Sequence, residues 1–134
     1  RVAPGVPREW LDHPHAPVGR SADAAMYAGN PKISKRGGLT RTKQALDRFG
    51  SAGIAMTIED SWGSDIITAA GAHLANSTPE HYRFTSTDFN SYVTVSTAEG
   101  APQRENGYMR ASTTPGLGIT PRMNVIGPRV VDVG

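Results

Sequence analysis

Residues 54–66, "IAMTIEDSWGSDI", decide how the rest of the chain is read. The run from Ile54 to Ile58 is short and apolar, with β-branched Ile54, Thr57 and Ile58, which predicts a buried strand. It stops on two adjacent carboxylates, Glu59 and Asp60, and Trp62 follows before a new apolar stretch begins. Charges follow many strands, so this pair gains meaning only from its flanks.

Upstream, "LTRTKQALDRFGSAG" predicts a helix: Leu39, Thr42, Ala45, Leu46 and Phe49 recur at three- and four-residue steps, and Gly50 and Gly53 lie where a C-cap would fall. Before it, Gly37 and Gly38 supply the conformations a tight strand-to-helix connection needs. Downstream, "DIITAAGAHLA" predicts a second helix with Asp65 as its N-cap and Ile66, Ala69, Ala70, His73 and Leu74 along one stripe. Pro79 ends it, and "YRFTST" predicts a third strand that runs to Asp88. Residues 1–29 carry neither helical nor strand periodicity; His13 and His15 there read as a solvated loop sooner than a metal site. Beyond Asn90 the chain is short extended pieces and turns, in which "VIGPRVVDV" could pair as an edge strand.

Composition narrows the possibilities. Apolar residues make up 37% of the 134 and mean hydropathy is −0.39, a thin core for a free-standing globule. Fifteen Gly and ten Pro mean many turns. A net charge of +2, without a basic block, argues against nucleic acid. The lack of cysteine removes disulfides and thiolate metal sites and fits a reducing compartment. No apolar run approaches the roughly 18 residues of a membrane span, and no signal-peptide core stands at the N-terminus. These features predict a soluble, cytoplasmic protein without a membrane partner.

Strand, helix, strand, helix, strand is the signature of parallel βα units. Lys32, Glu59 and Asp88 each fall at or just past a strand end, 27 and 29 residues apart. A (β/α)₈ barrel devotes roughly 30 residues to each unit and gathers its chemistry at the C-terminal strand ends. Three ionisable side chains would then face one mouth. Three units cannot close a barrel, so further strands would be needed to cover their edges.

With these residues placed, the chain resembles the mandelate racemase and muconate-lactonizing branch of the enolase superfamily. The likeness rests on "KISKRGGLT", "GIAMTIEDSWGSDIITAAGAHLA", "STDFNSYV" and "PGLGITPRMNV". It covers residues 30–134 and implies the C-terminal part of a TIM barrel domain, about its last three βα units and an extended tail, with residues 1–29 an irregular, unassigned segment. "IEDSWGSDI" followed by "STDFNSY" is most similar to the hydroxyproline-type members.

The resemblance implies a Mg²⁺-dependent dehydratase that removes the proton α to the carboxylate of a small substrate, cis-3-hydroxy-L-proline or a related hydroxy amino acid. Such a proton is very weakly acidic, so a preorganised cation must stabilise the developing charge, and a lysine base must be neutral when it acts. By position, the resemblance implies Lys32 as general acid/base and Glu59 as the group that positions Lys32 or a polar group of the substrate. Asp60 shares that role or caps the segment after it. Trp62 walls the substrate pocket or packs beneath the loop, and Asp88 meets the substrate's amine or its distal end, where a ring ammonium would pair with the carboxylate, with Asn90 a weaker contact. Lys35 supports the strand-to-helix turn, and His73 packs on its helix.

The departures are as informative. The family's three metal-binding carboxylates, its first lysine motif and its capping domain have no counterpart here. "AAMYAGNPK" supplies Gly29 and Pro31 where a buried apolar strand is expected. The expectation is an incomplete barrel, inactive alone and without metal ligands, and homo-oligomeric if the barrel is whole. A racemase or epimerase of the same superfamily, a non-catalytic partial barrel and an unrelated α/β binding module are the alternatives.

Overall fold

The computed structural model describes residues 28–128 and 130–131. Its heart is a three-stranded parallel sheet in the order β1 (Ala28–Gly29), β2 (Ala55–Ile58), β3 (Arg83–Ser86). Ala28 pairs with Ala55 and Gly29 with Met56; on the other side Thr57 pairs with Thr85 and Ile58 with Ser86. Parallel neighbours need crossovers, and the helices provide them.

After β1 the chain turns through α1 (Ile33–Arg36), a single helical turn ended by Gly37 at φ +75°. Gly38, at φ +117°, then starts α2 (Leu39–Ser51). Thr42 closes that start from inside: its Oγ1 donates to the Gly38 carbonyl at 2.7 Å. Thr42, Ala45, Leu46, Phe49 and Gly50 form the buried stripe of α2, whereas Leu39, expected on it, lies at the exposed margin. Ala52 is the C-cap, Gly50 lies within the helix, and Gly53 makes the turn into β2 at φ +69°.

The expected second helix is α3 (Ser64–Asn76), and it begins one residue earlier than its sequence suggests. Gly63 is the N-cap, so Asp65 lies inside the first turn. Asp65 is free of capping duty, and its carboxylate reaches the tail. Thr78 ends α3 by donating from Oγ1 to the Leu74 carbonyl at 2.8 Å, and Pro79 opens a 3₁₀ turn that leads into β3.

The core lies between the sheet and the two long helices: Ala45, Leu46, Phe49, Ile54, Met56, Ile58 and Leu74, with Ile33, Ala52, Ala75 and Tyr82 packed around it. Full burial of the large members stabilises by about 1.5–3 kcal/mol each. Along β2 burial alternates: Met56 and Ile58 face the helices, and Ala55 and Thr57 face the opposite side of the sheet.

The weak strand signal at "AAMYAGNPK" has a packing cause. A Cβ at Gly29 would stand 2.7 Å from Phe49 Cε1, so the strand approaches α2 where only a glycine fits. Ala28 and Gly29 join the sheet by pairing with Ala55 and Met56 of β2.

The tail forms an antiparallel ribbon of β4 (Ala98–Glu99) with β5 (Thr120–Pro121), then a helical turn, α4 (Met123–Ile126). The expected edge strand in "VIGPRVVDV" is therefore absent from its first two residues, which belong to α4; part of that stretch lies outside the described residues, as do residues 1–27 with His13 and His15. No helix among the described residues is long and apolar enough to cross a membrane.

Candidate functional site

Glu59 continues the alternation of Ala55 and Thr57, and Asp60 that of Met56 and Ile58. Two adjacent acids thus leave β2 on opposite faces, and this is the physical answer to the pairing in the sequence. Lys32 and Glu59 face one another in a parallel bridge at the C-terminal ends of neighbouring strands. Their side chains meet: Lys32 Nζ lies 2.9 Å from Glu59 Oε1, with 30% and 13% of the two side chains exposed. Asn30, two residues before Lys32, donates from Nδ2 to Glu59 Oε2. One oxygen of Glu59 thus serves the amine and the other an amide, which fixes the carboxylate plane. Ser34 and Ser61 join the same two segments one step further, Oγ to Oγ at 2.9 Å.

Asp60 is buried and fully engaged. Its carboxylate accepts from the Ser61 amide at 2.6 Å, from the Phe89 amide at 2.8 Å and from Thr68 Oγ1. Thr87 Oγ1 in turn accepts from the Asp60 amide at 3.0 Å. Asp60 therefore ties the end of β2 to α3 and to the loop after β3.

Asp65 does the same one layer out. Its Oδ2 accepts from the Thr97 amide at 2.7 Å, Ser96 Oγ at 2.9 Å and the Ala98 amide at 3.1 Å, and its Oδ1 from Asn90 Nδ2 at 3.1 Å. Burial pushes this carboxyl up, but the hydrogen bonds from Asn90, Thr97, Ser96 and Ala98 outweigh it and hold the group below its ordinary value. Asn90 also donates from Nδ2 to the Pro102 carbonyl at 2.8 Å. Both of its N–H groups are used within the protein, and only its carbonyl oxygen is left to offer.

Asp88 is buried at the end of β3, and its counter-ion is Arg104 from the tail. Trp62 is 72% exposed and stacks on Phe89 at 4.7 Å between ring centroids, with Tyr92 edge-on at 6.4 Å. It is not core; it covers the loop after β3 from outside. His73 donates from Nε2 to the Leu117 carbonyl at 3.2 Å and so joins α3 to the tail.

Of the residues singled out from sequence, Lys32 and Glu59 are brought into contact, while Asp60 and Asn90 are bound up in the loop that carries Asp88. Asn30 was legible in principle, since it shares the face of Lys32. Arg104 carried no local signal, because it sits in a turn-rich segment 16 residues beyond its partner. Among the described residues no three His, Asp or Glu side chains come together as a metal site, so a divalent cation does not fit the groups present.

Comparison with known proteins shows which family shares this fold. Residues 21–125 match the model of the enolase C-terminal domain-like family. The chain is 55% identical over 127 residues to a cis-3-hydroxy-L-proline dehydratase of Roseibium aggregatum, covering 95% of this chain and 35% of that protein. A mandelate racemase/muconate lactonizing enzyme of Roseovarius nubinhibens superposes with a TM-score of 0.89 at 38% identity, over 96% of this chain and 35% of its own. A member of the enolase superfamily from the same organism, solved with magnesium, gives 0.78 at 30% identity, over 85% and 31%. The chain thus spans about a third of the length of these relatives, and its three parallel units are a portion of their (β/α)₈ barrel. It belongs to the enolase C-terminal domain-like family.

Proposed function

We propose that, in a complete barrel, this chain supplies the base and the distal substrate contacts of a dehydratase acting on a small hydroxy amino acid, with cis-3-hydroxy-L-proline the first candidate. The observation that carries the reading is the 2.9 Å contact between Lys32 and Glu59 at the ends of adjacent parallel strands. The 55% identity to a dehydratase of that substrate supports the choice.

Lys32, once free of its proton, accepts the hydrogen α to the substrate carboxylate. The electron pair of that C–H bond becomes the new C=C bond as the neighbouring C–O bond breaks, and the hydroxyl takes up the proton that Lys32 now carries and leaves as water. Glu59, fixed by Asn30, keeps the amine aimed at the reacting carbon. Asp88 receives the ring ammonium, and Trp62 with Phe89 and Tyr92 presents an aromatic wall beside it. Asp60 and Asn90 act on the substrate indirectly, by holding the loop that carries Asp88. Magnesium dependence belongs to the same proposal, with its ligands on barrel strands that this chain does not supply; when bound, the cation would stabilise charge on the substrate carboxylate.

The test places this chain in the Roseibium dehydratase in exchange for the matching third. Lys32→Ala should lower kcat by about 10²–10⁴-fold while circular dichroism stays unchanged. Full activity after that substitution would overturn the assignment of the base. Solvent deuterium appearing in recovered substrate, without loss of water, would point to an epimerase instead.

A further inference from the structure

Asp88 has 2% of its surface exposed, and neither of its oxygens accepts a hydrogen bond of ordinary geometry. A carboxylate withdrawn from water without donors depends on its counter-ion. That counter-ion, Arg104, is itself half exposed and comes from the tail. The backbone beneath it is pinned two residues earlier, where Asn90 donates to the Pro102 carbonyl and Pro102 is buried. The guanidinium therefore sits at the end of a long side chain on an anchored strap, and it can leave Asp88 without moving the strap.

With Arg104 in place, Asp88 has no open face for a second cation. We propose that Arg104 is the resident counter-ion of Asp88 and is exchanged for the substrate's ring ammonium on binding. This rests on the reading of Asp88 as the ammonium contact. Arg104 is then a specificity-setting residue: a cationic end can take its place on Asp88, and a neutral or anionic end cannot. Apparent affinity is lowered by the fraction of molecules in which Arg104 still covers Asp88.

The experiment uses the completed barrel described above, with two readouts. L-proline, which carries the ring ammonium and carboxylate but no hydroxyl to lose, is titrated by calorimetry; turnover of cis-3-hydroxy-L-proline is measured in parallel. Arg104→Gln should tighten L-proline binding about fivefold, the scale of a partly exposed ion pair. Arg104→Lys should lie between the two, because an ammonium cannot match the planar fork of arginine. In an Asp88→Asn background, Arg104→Gln should have no further effect. Unchanged or weaker L-proline binding in both Arg104 variants would overturn the exchange and make the pair a fixed structural one. Tighter binding without any turnover in the parent graft would sink the dehydratase reading and leave the exchange standing; turnover with unchanged binding would do the reverse.

Discussion

Asp65 accepts hydrogen bonds from Ser96, Thr97 and Ala98 on the tail and from Asn90 on the loop after β3, so one carboxylate holds three segments together. Asp65→Asn replaces one of the two accepting oxygens by an N–H donor and removes the charge, and should cost about 2–4 kcal/mol at pH 7, measured by urea unfolding. The carboxyl is held below its ordinary value of 3.8 in the folded state. Its contribution is therefore complete above that value and disappears as the pH falls through the folded one. The variant should accordingly lose less stability than the parent between pH 7 and pH 3; an equal loss would show that Asp65 does not titrate with folding. Residue by residue, the sequence revealed what period two can reveal. Glu59 and Asp60 part company because consecutive strand residues face opposite sides, and Asn30 follows Lys32 by the same rule. The partners of Asp65 and Asp88 lie across turn-rich chain that has no period to read.

β1 looks unlike a strand because its composition answers to α2. Gly29 faces Phe49 at a distance no side chain tolerates. Gly29→Ala should destabilise by about 1–3 kcal/mol, and Phe49→Leu in the same molecule should recover part of that loss by vacating the contact. If the double variant is no more stable than Gly29→Ala alone, the glycine is required for some other reason. The long elements were legible because each repeats its period several times: α2 buries Thr42, Ala45, Leu46 and Phe49, four of the five residues its spacing marks. Short elements were not. α1 and α4 are single turns of four residues, too brief for a period to emerge, and the apolar Val125 and Ile126 suit a strand as well as a turn.

Across the described molecule, β3 is an outer strand of its sheet, and the chain covers it poorly. Phe84 is 68% exposed and lines a cleft of about 400 Å³ with Gly71, Ala75 and Tyr108. An open strand edge beside an apolar side chain is a template for association. The 134-residue chain should elute from size exclusion at an apparent mass that rises with concentration. Phe84→Lys should suppress that rise without lowering the unfolding midpoint, and an unchanged profile would place the contact elsewhere. The clasp at Asp65 also dictates an order of events during synthesis. Its acceptor atoms emerge from the ribosome some thirty residues before Ser96, Thr97 and Ala98 do. Until that stretch clears the exit tunnel, the nascent chain has only Asn90 to offer this carboxylate, and the loop bearing Asp88 waits for its final anchor.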